Sequence, residues 1–306
     1  MPGMHADEVE VDEGLAARLV AAQFPRWAGL PLTPVPSAGT DNALFRLGDD
    51  MIVRLPRIPG ATEQAEKEQR WLPYLAPFLP LAIPEPLAMG EAALGYPWRW
   101  SVYRWLDGEV ARASRIADRR QVALDLADFI SQLHRIDATD GPLPGEHNSW
   151  RGEPLGARND ETREALRALE DSFDAPTVTE TWEAALAAPP WAGPPVWVHG
   201  DLLSENLLAV DGHLSAVIDF GCLGVGDPAC DAMAAWTYLS AAERGAFREA
   251  LEVDNATWVR ARGWALSFGL IALPYYRQTN PVLASIAQHA IDEVLADPAM
   301  DGGEVR

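Results

Sequence analysis

Residues Val196–Gly221 read VWVHGDLLSENLLAVDGHLSAVIDFG, and this stretch decides the fold. Two short apolar runs each deliver an aspartate, Asp201 after VWVHG and Asp219 after AVI. Between them, Asp211-Gly212 separates two further apolar runs, which is a strong short-range signal for a β-hairpin. Because strand pairing folds the chain back on itself, we expect Asp201, Asn206 and Asp219 to converge at one end of the hairpin.

The residue types of this stretch suit metal-assisted phosphoryl transfer. Mg²⁺ takes few protein ligands, prefers hard oxygens, and fills its shell with water and phosphate oxygens. A carboxylate held near a hydroxyl can orient that hydroxyl and accept its proton. A single aspartate at a strand end is usually a turn or cap residue. The ordered set H-x-D-L-x-x-x-N followed by D-F-G, however, is a phosphoryl-transfer signature.

HGDLLSEN and VIDFG resemble the catalytic and metal motifs of the aminoglycoside phosphotransferase family, the small-molecule branch of the protein-kinase-like fold. Gly200 stands where protein kinases carry arginine, and GVGDPACDAM is similar to the G-D-P-x-x-D stretch of the family. The resemblance implies an α+β, bilobal fold. A β-rich nucleotide-binding lobe would span residues 1–106, and a larger, mainly helical catalytic and acceptor-binding lobe would span residues 107–306.

The resemblance also implies roles for individual residues. Asp201 would be the catalytic base that orients the acceptor hydroxyl. Asn206 and Asp219 would hold a Mg²⁺ ion that bridges the nucleotide phosphates. His199 would pack and hydrogen-bond beneath the metal site. Asp231 would tie down the catalytic loop through backbone N–H groups, with an ordinary surface position on a helix as the alternative.

In the first lobe the family needs a cation on the third strand and a glutamate on the following helix. The strand MIVRLPR offers Arg54, and the helix offers Glu68, with Glu66 as the second choice. The chain has 23 arginines and one lysine, Lys67, which lies in the helical segment. Arg54 is therefore the predicted phosphate-binding cation, although arginine differs from lysine in reach and geometry. An exposed strand arginine and a solvated glutamate are the alternatives.

Two further segments of the first lobe are predicted to contact the nucleotide. The loop PSAGTDNALF would cover the phosphates through Ser37, Gly39, Thr40 and backbone N–H groups. The aromatic strand Trp98–Leu106 would place adenine against the backbone near Tyr103 and Trp105, with an aromatic core strand as the alternative.

Hydrophobic periodicity predicts the remaining elements. These are a helix over Glu13–Ala28, a hairpin with strands Leu44–Leu47 and Met51–Leu55, a helix over Thr62–Leu75, a helix from Ala117 with one apolar stripe, a helical stretch over 160–188, and mostly helix from Asp227 onward.

Composition narrows the class of function. The formal net charge of −21 disfavours nucleic acid as a partner. No apolar run is long enough to span a membrane, and the acidic N-terminus lacks the order of a signal peptide, so we expect a cytoplasmic protein with no membrane partner. Residues 101–306 carry 32 acidic and 16 basic side chains. This excess is either for solubility or for steering a cationic small molecule to the protein.

Three functions remain open from the sequence. The first is a Mg²⁺-dependent kinase that uses ATP, with GTP possible, to phosphorylate a hydroxyl of an antibiotic-like acceptor such as an aminoglycoside or a macrolide. The second is a metabolite kinase of the same fold, acting on choline, a sugar or a homoserine-like compound. The third is a non-catalytic nucleotide-binding module, for which the missing strand lysine and the glycine-poor loop argue.

Overall fold

The computed structural model describes residues 9–297 apart from residues 38, 40 and 171. Its first sheet has five antiparallel strands in the order β1-β2-β3-β5-β4. They are β1 Leu32–Pro34, β2 Asn42–Leu47, β3 Met51–Pro56, β4 Pro86–Gly90 and β5 Trp100–Arg104. The predicted hairpin is confirmed as β2 and β3, with Leu44 opposite Arg54. Arg54 also faces Ser101 of β5 and so lies in the middle of the sheet.

Strand β4 was not predicted, because it lies in a proline-rich stretch that suggests only a chain break. Pro86 is its first residue, and β4 forms an edge of the sheet. Proline is tolerated at both kinds of position because no ladder hydrogen bond is lost there. The strand predicted over Trp98–Leu106 is shorter than expected, since only Trp100–Arg104 pairs regularly.

Two helices accompany this sheet. α1 covers Glu13–Gln23, and its N-terminus is capped by the Asp12 carboxylate, which accepts from Leu15 N. The predicted extension to Ala28 is wrong, because a 3₁₀ turn over Pro25–Trp27 takes its place. α2 covers Thr62–Leu75, as predicted, and it buries Glu68 on the same face as its apolar residues.

The remaining strands form two small sheets around the quoted stretch. They are β6 Glu109–Val110, β7 Val196–Val198, β8 Leu207–Val210, β9 His213–Val217 and β10 Gly224–Gly226. The predicted hairpin is confirmed as β8 and β9, and its turn has positive φ at both Asp211 and Gly212. β7 pairs with β10 instead of the hairpin, with Val198 opposite Gly224.

Helices make up most of the chain from Arg119 onward. They are α3 Arg119–Arg135, α4 Asn159–Ala168, α5 Ala175–Ala187, α6 Ala229–Ala232, α7 Ala234–Thr237, α8 Ala241–Leu251, α9 Asn255–Tyr276 and α10 Pro281–Ala296. The apolar stripe predicted on α3 is confirmed as its buried face. The stretch predicted as helical over 160–188 is two helices. Pro176 lies in the first turn of α5, a position that favours the start of a new helix.

The buried apolar residues form two cores. The smaller one lies between α1 and the first sheet, and the larger one fills the helical part. α2 joins them, since Leu72 and Leu75 belong to the larger core while Glu68 reaches Arg54 on β3. The boundary predicted between residues 106 and 107 stays a prediction. No helix within the described residues is long and apolar enough to cross a membrane.

Acid should weaken the packing of α8 on α3. The Glu243 carboxylate accepts two hydrogen bonds from Arg119 and caps α8 through Ser240. Burial raises the pKa of Glu243, but Arg119 and Ser240 outweigh it and lower the pKa to about 2. The unfolded carboxyl titrates near 4.5, so the contribution to stability is complete above that pH and is lost as the pH falls toward 2.

We therefore expect the native chain to lose about 1–3 kcal/mol of this contribution between pH 6 and pH 2. Glu243→Gln should be less stable than the native chain at pH 6, and the gap should close at low pH. Urea unfolding at several pH values measures the stability of the native chain and of Glu243→Gln. Glu249→Gln, which changes an exposed residue on the same helix, is the control. An unchanged gap at low pH would contradict this account.

Candidate active site

Asp231 fixes the backbone that precedes Asp201. Its carboxylate is fully buried and accepts from His199 N at 2.9 Å and from Gly200 N at 2.7 Å. Gly200 has φ of 78°, which favours glycine, and a Cβ there would lie 2.9 Å from the side chain of Arg151. The surface-helix alternative for Asp231 is therefore wrong.

His199 connects the segments that carry the two aspartates. Its ring is fully buried and packs edge-on against Phe220, with ring centroids 4.6 Å apart. Nε2 donates to Ile218 O at 3.1 Å, and Nδ1 accepts from Asp201 N at 3.2 Å. These partners assign the proton to Nε2 of a neutral ring. His199 thus sets the spacing between the loop before Asp201 and the chain before Asp219.

Asn206 holds the Asp201 side chain in place. Its Nδ2 donates to Asp201 Oδ2 at 2.8 Å and to Asp201 O at 2.9 Å, so its own amide oxygen is directed elsewhere. Burial raises the pKa of the Asp201 carboxyl, the charge of Arg151 opposes this, and the charge of Asp219 adds to it, leaving the pKa above its usual value. A fixed and unusually basic carboxylate suits a proton acceptor.

Asp219 takes a left-handed backbone conformation, with φ of 62°, which is uncommon for a residue other than glycine. Its Oδ1 accepts from Gly221 N at 3.3 Å and from Arg54 Nη2 at 2.9 Å. Burial raises the pKa of Asp219, but the Arg54 guanidinium outweighs it and holds the pKa below its usual range. The side chain remains 41% exposed, so part of the carboxylate faces the open cleft.

Arg54 is the centre of a network that links β3, α2 and Asp219. Nη1 donates to Glu68 Oε1 at 2.9 Å, and Nη2 donates to Gln64 Oε1 at 3.1 Å as well as to Asp219. With its amide oxygen turned toward Arg54, Asn42 accepts from Nε at 3.0 Å. Burial lowers the pKa of Arg54, but the charges of Glu68 and Asp219 outweigh burial and raise this pKa above its usual value. The guanidinium therefore stays charged. Glu68, and not Glu66, is the partner of Arg54, since Glu66 pairs with Arg99.

Several of the other residues predicted to bind nucleotide make contacts within the protein instead. The Tyr103 side chain is buried and donates to Glu68, so it faces the space between the first sheet and α2. Trp105 N already donates to Asp50 O at 2.7 Å. Ser37 is exposed, and its hydroxyl accepts from Gly39 N at 2.9 Å. Thr40 lies outside the described residues. Roles for Ser37, Gly39, Thr40, Tyr103 and Trp105 in binding nucleotide stay predictions.

The donor set fits Mg²⁺ only if phosphate and water complete the shell. Within residues 9–297, gaps excepted, no three His, Cys, Asp or Glu side chains lie close enough to hold a metal ion by themselves. The Asn206 amide oxygen and the exposed part of the Asp219 carboxylate are hard oxygen ligands. Two such ligands are what Mg²⁺ usually takes from a protein that also binds nucleotide phosphates.

Residues 32–264 match the family model described as the phosphotransferase enzyme family, APH. The chain belongs to this family. The match contains every predicted site residue, from Ser37 to Asp231, and confirms the resemblance inferred from HGDLLSEN and VIDFG. Membership of this family favours a phosphotransferase over the non-catalytic alternative.

Relatives of this APH phosphotransferase include enzymes for two antibiotic classes. An aminoglycoside 3'-phosphotransferase of Escherichia coli is 32% identical over 125 residues, which are 39% of this chain and 44% of that protein. The aligned part is thus less than half the length of that curated relative. A macrolide 2'-phosphotransferase from Brachybacterium faecium is 25% identical, with 96% of this chain and 100% of that chain covered and a TM-score of 0.59.

A structure of the aminoglycoside phosphotransferase APH(2")-IIIa with GDP and kanamycin has a TM-score of 0.69 and 19% identity. It covers 91% of this chain and 97% of that chain. At this identity the likeness shows the fold alone. It confirms the predicted α+β, kinase-like fold class of the APH phosphotransferase.

The sequence did not point to Lys67 as part of the site. Its Nζ donates to Gly221 O at 2.6 Å and to His147 O at 3.3 Å, and it lies 3.2 Å from His147 Nδ1. Lys67 contacts the segment after Asp219 directly, whereas its neighbour Glu68 is linked to Asp219 through Arg54. The one available signal was that Lys67 is the only lysine in an arginine-rich chain.

Lys67→Met should release α2 from the Asp219 segment. The change keeps most of the aliphatic stem but leaves two carbonyl oxygens without their charged donor, so we expect a loss of about 1–3 kcal/mol in unfolding free energy. The KM for nucleotide should rise as well. Arg70→Met, an exposed basic residue on the same helix, is the control and should change stability by less than about 0.5 kcal/mol. If Lys67→Met and Arg70→Met lowered the unfolding free energy equally in urea, the contact of Lys67 with Gly221 and His147 would not stabilise the protein.

Proposed function

We propose that this phosphotransferase moves the γ-phosphoryl group of ATP, or of GTP, to a hydroxyl of an aminoglycoside or a macrolide. The observation that carries the proposal is the fixed Asp201 carboxylate. Asn206 holds it beside the ion pair of Asp219 with Arg54. Phosphoryl transfer needs little covalent chemistry from a protein, so accurate positioning of a few charges supplies most of the catalysis.

In this proposal Asp201 accepts a hydrogen bond from the acceptor hydroxyl, orients its oxygen toward the phosphoryl group, and takes its proton at the carboxylate. The raised pKa of Asp201 supports the last role. Asp231 and His199 act through the backbone, since their hydrogen bonds fix the position of the chain that leads into Asp201.

The Asn206 amide oxygen and the Asp219 carboxylate would hold Mg²⁺. When bound, the ion supplies charge neutralisation between the phosphates. Arg54 has little unused donor capacity, because Nε and Nη2 are already occupied by Asn42, Gln64 and Asp219. Its remaining Nη1 N–H is the donor we assign to phosphate. Arg54 thus combines phosphate binding with the alignment of Glu68 and Asp219.

The relatives support the acceptor class. One is an aminoglycoside phosphotransferase and another a macrolide phosphotransferase, and both antibiotic classes offer hydroxyl groups near an amine. The excess of 32 acidic over 16 basic residues in 101–306 favours an amine-bearing acceptor by electrostatic steering.

Acceptor-dependent nucleotide turnover tests the proposal. The panel is kanamycin, gentamicin, erythromycin, choline, homoserine and glucose, each with ATP and with GTP, with Mg²⁺ and with excess EDTA. We expect an aminoglycoside or the macrolide to stimulate turnover by at least tenfold, and only with Mg²⁺. Stimulation by choline, homoserine or glucose alone would overturn the acceptor class, and full turnover in EDTA would overturn the metal requirement.

A further inference from the structure

A strained loop presents Arg151 beneath the catalytic loop. Ser149 and Trp150 have φ of 52° and 60°, a conformation that is unfavourable for residues other than glycine. The Asn148 side chain braces the loop, accepting from Gly145 N at 3.0 Å and donating to Arg151 O at 3.0 Å. Strain held by such bracing is typical of functional segments, and here it fixes the position of one arginine.

Arg151 belongs to a cluster of buried donors without acceptors. Arg151 and Arg158 are each 7% exposed, and Trp264 is fully buried. The guanidinium carbons of Arg151 and Arg158 lie 5.5 and 5.9 Å from the centre of the Trp264 ring. Among the described residues, no hydrogen-bond acceptor reaches four of the cluster's N–H atoms: Nε and Nη1 of Arg151, Nε of Arg158, and Nε1 of Trp264. Native proteins rarely leave buried donors unsatisfied.

The acidic side chains near the cluster do not occupy these four N–H groups either. The thiols of Cys222 and Cys230 adjoin Arg151, but burial raises their pKa so far that they stay neutral. Arg158 pairs with Glu161 at 3.2 Å, and that glutamate is 56% exposed. Burial, and then the charge of Arg151, lower the pKa of Arg158. The charge of the Asp201 carboxylate also acts on Arg151.

The position of the cluster relates it to the reaction. Arg151 packs against Gly200, the residue before Asp201, in the space that a side chain at position 200 would need. In the proposed function the acceptor hydroxyl, and then the phosphate monoester formed on it, lies beside Asp201. The unpaired donors of Arg151 are therefore next to the product of the reaction.

We propose that Arg151, Arg158 and the Trp264 N–H form an oxyanion site beside Asp201, and that the site binds the phosphate group newly placed on the acceptor. The proposal rests on the proposed function. A phosphate monoester carries a charge of about −1.5 to −2 and three acceptor oxygens. This matches two guanidinium groups and a third donor better than the single charge of a carboxylate does.

Titration calorimetry of the full chain with inorganic phosphate tests the site without any turnover, so its failure is distinguishable from failure of the proposed acceptor. We expect phosphate to bind, and Arg151→Gln and Arg158→Gln each to weaken binding about tenfold, as expected for loss of a charged hydrogen bond. Arg54→Gln removes the donor assigned to the nucleotide phosphates, and phosphate binding at the Arg151 site should survive that change. Arg262→Gln, which changes a half-buried arginine whose donors reach backbone carbonyls, is the control.

Acetate distinguishes the two sources of an oxyanion. Acetate should bind at least tenfold more weakly than phosphate, and equal affinity would overturn the assignment to the transferred phosphate in favour of a carboxylate on the acceptor. Should Arg151→Gln fail to fold, Arg151→Lys keeps the charge but loses the planar fork, and the same weakening is expected. No phosphate binding, or binding lost in Arg54→Gln but kept in Arg151→Gln, would overturn the site.

Discussion

Asp201→Asn is expected to lower acceptor-dependent phosphoryl transfer by about 10²- to 10⁴-fold, the usual contribution of a positioned general base. The substitution keeps the shape of the side chain and an oxygen that can accept from Asn206. It removes the charge that orients the acceptor hydroxyl and the site that takes its proton. Nucleotide affinity should stay within about threefold of the native value, since Arg54 and Asp219 are untouched.

A matched control lies in the same stretch of chain. Asp211→Asn alters an exposed turn residue with φ of 50°, a conformation that asparagine also adopts readily. It should retain full activity. If Asp201→Asn kept activity within about twofold of this control, positioning by Asp201 would not be part of catalysis.

Arg54→Gln is expected to have the largest effect on stability and to lower activity as well. Glu68 is only 1% exposed, and without Arg54 its buried charge would lose the cation that it hydrogen-bonds. Breaking a buried pair in this way costs about 3–5 kcal/mol; because Asp219 is 41% exposed, we expect the lower end of that range. Phosphoryl transfer should fall by at least about 100-fold, because a phosphate donor and the alignment of Asp219 are lost together.

Arg54→Lys separates these two effects. Lysine keeps the charge but cannot contact Asn42, Glu68 and Asp219 at once, so stability should recover more than activity does. Urea unfolding and steady-state kinetics measure the two effects. Arg104→Gln is the control, because Arg104 pairs with Glu85 on the surface of β5 and such exposed pairs contribute little. Equal losses in Arg54→Gln and Arg104→Gln would contradict the central role of Arg54.

The sequence predicted the catalytic segment well because its geometry is local. The hairpin over β8 and β9 follows from one two-residue turn, and the short separation of Asp201 from Asn206 brings the two side chains into contact. The partnership of Arg54 with Glu68 was also predictable, since a strand followed directly by a helix leaves few choices. Helix α2 has the predicted bounds because its composition and spacing agree along its whole length.

The rest of the site depends on contacts between distant segments. Arg151 reaches Gly200 from a loop whose conformation is set by positive φ values, which no periodicity indicates. In β10, Gly224 lies against the Asn148 side chain and Gly226 against the backbone of Gly152. The three-residue strands β7 and β10 carry no readable alternation. The contact of Lys67 with Gly221 joins residues that lie far apart in sequence.

The single lysine makes the contact between α2 and Gly221 accessible to chemical labelling. Lys67 is the only side-chain amine in the chain, and its nitrogen is held by Gly221 O and His147 O. An amine-reactive reagent attacks the deprotonated form, and burial already lowers the pKa of Lys67. The rate at which the peptide containing Lys67 becomes acylated therefore measures how often α2 separates from the Asp219 segment, with no introduced reporter group.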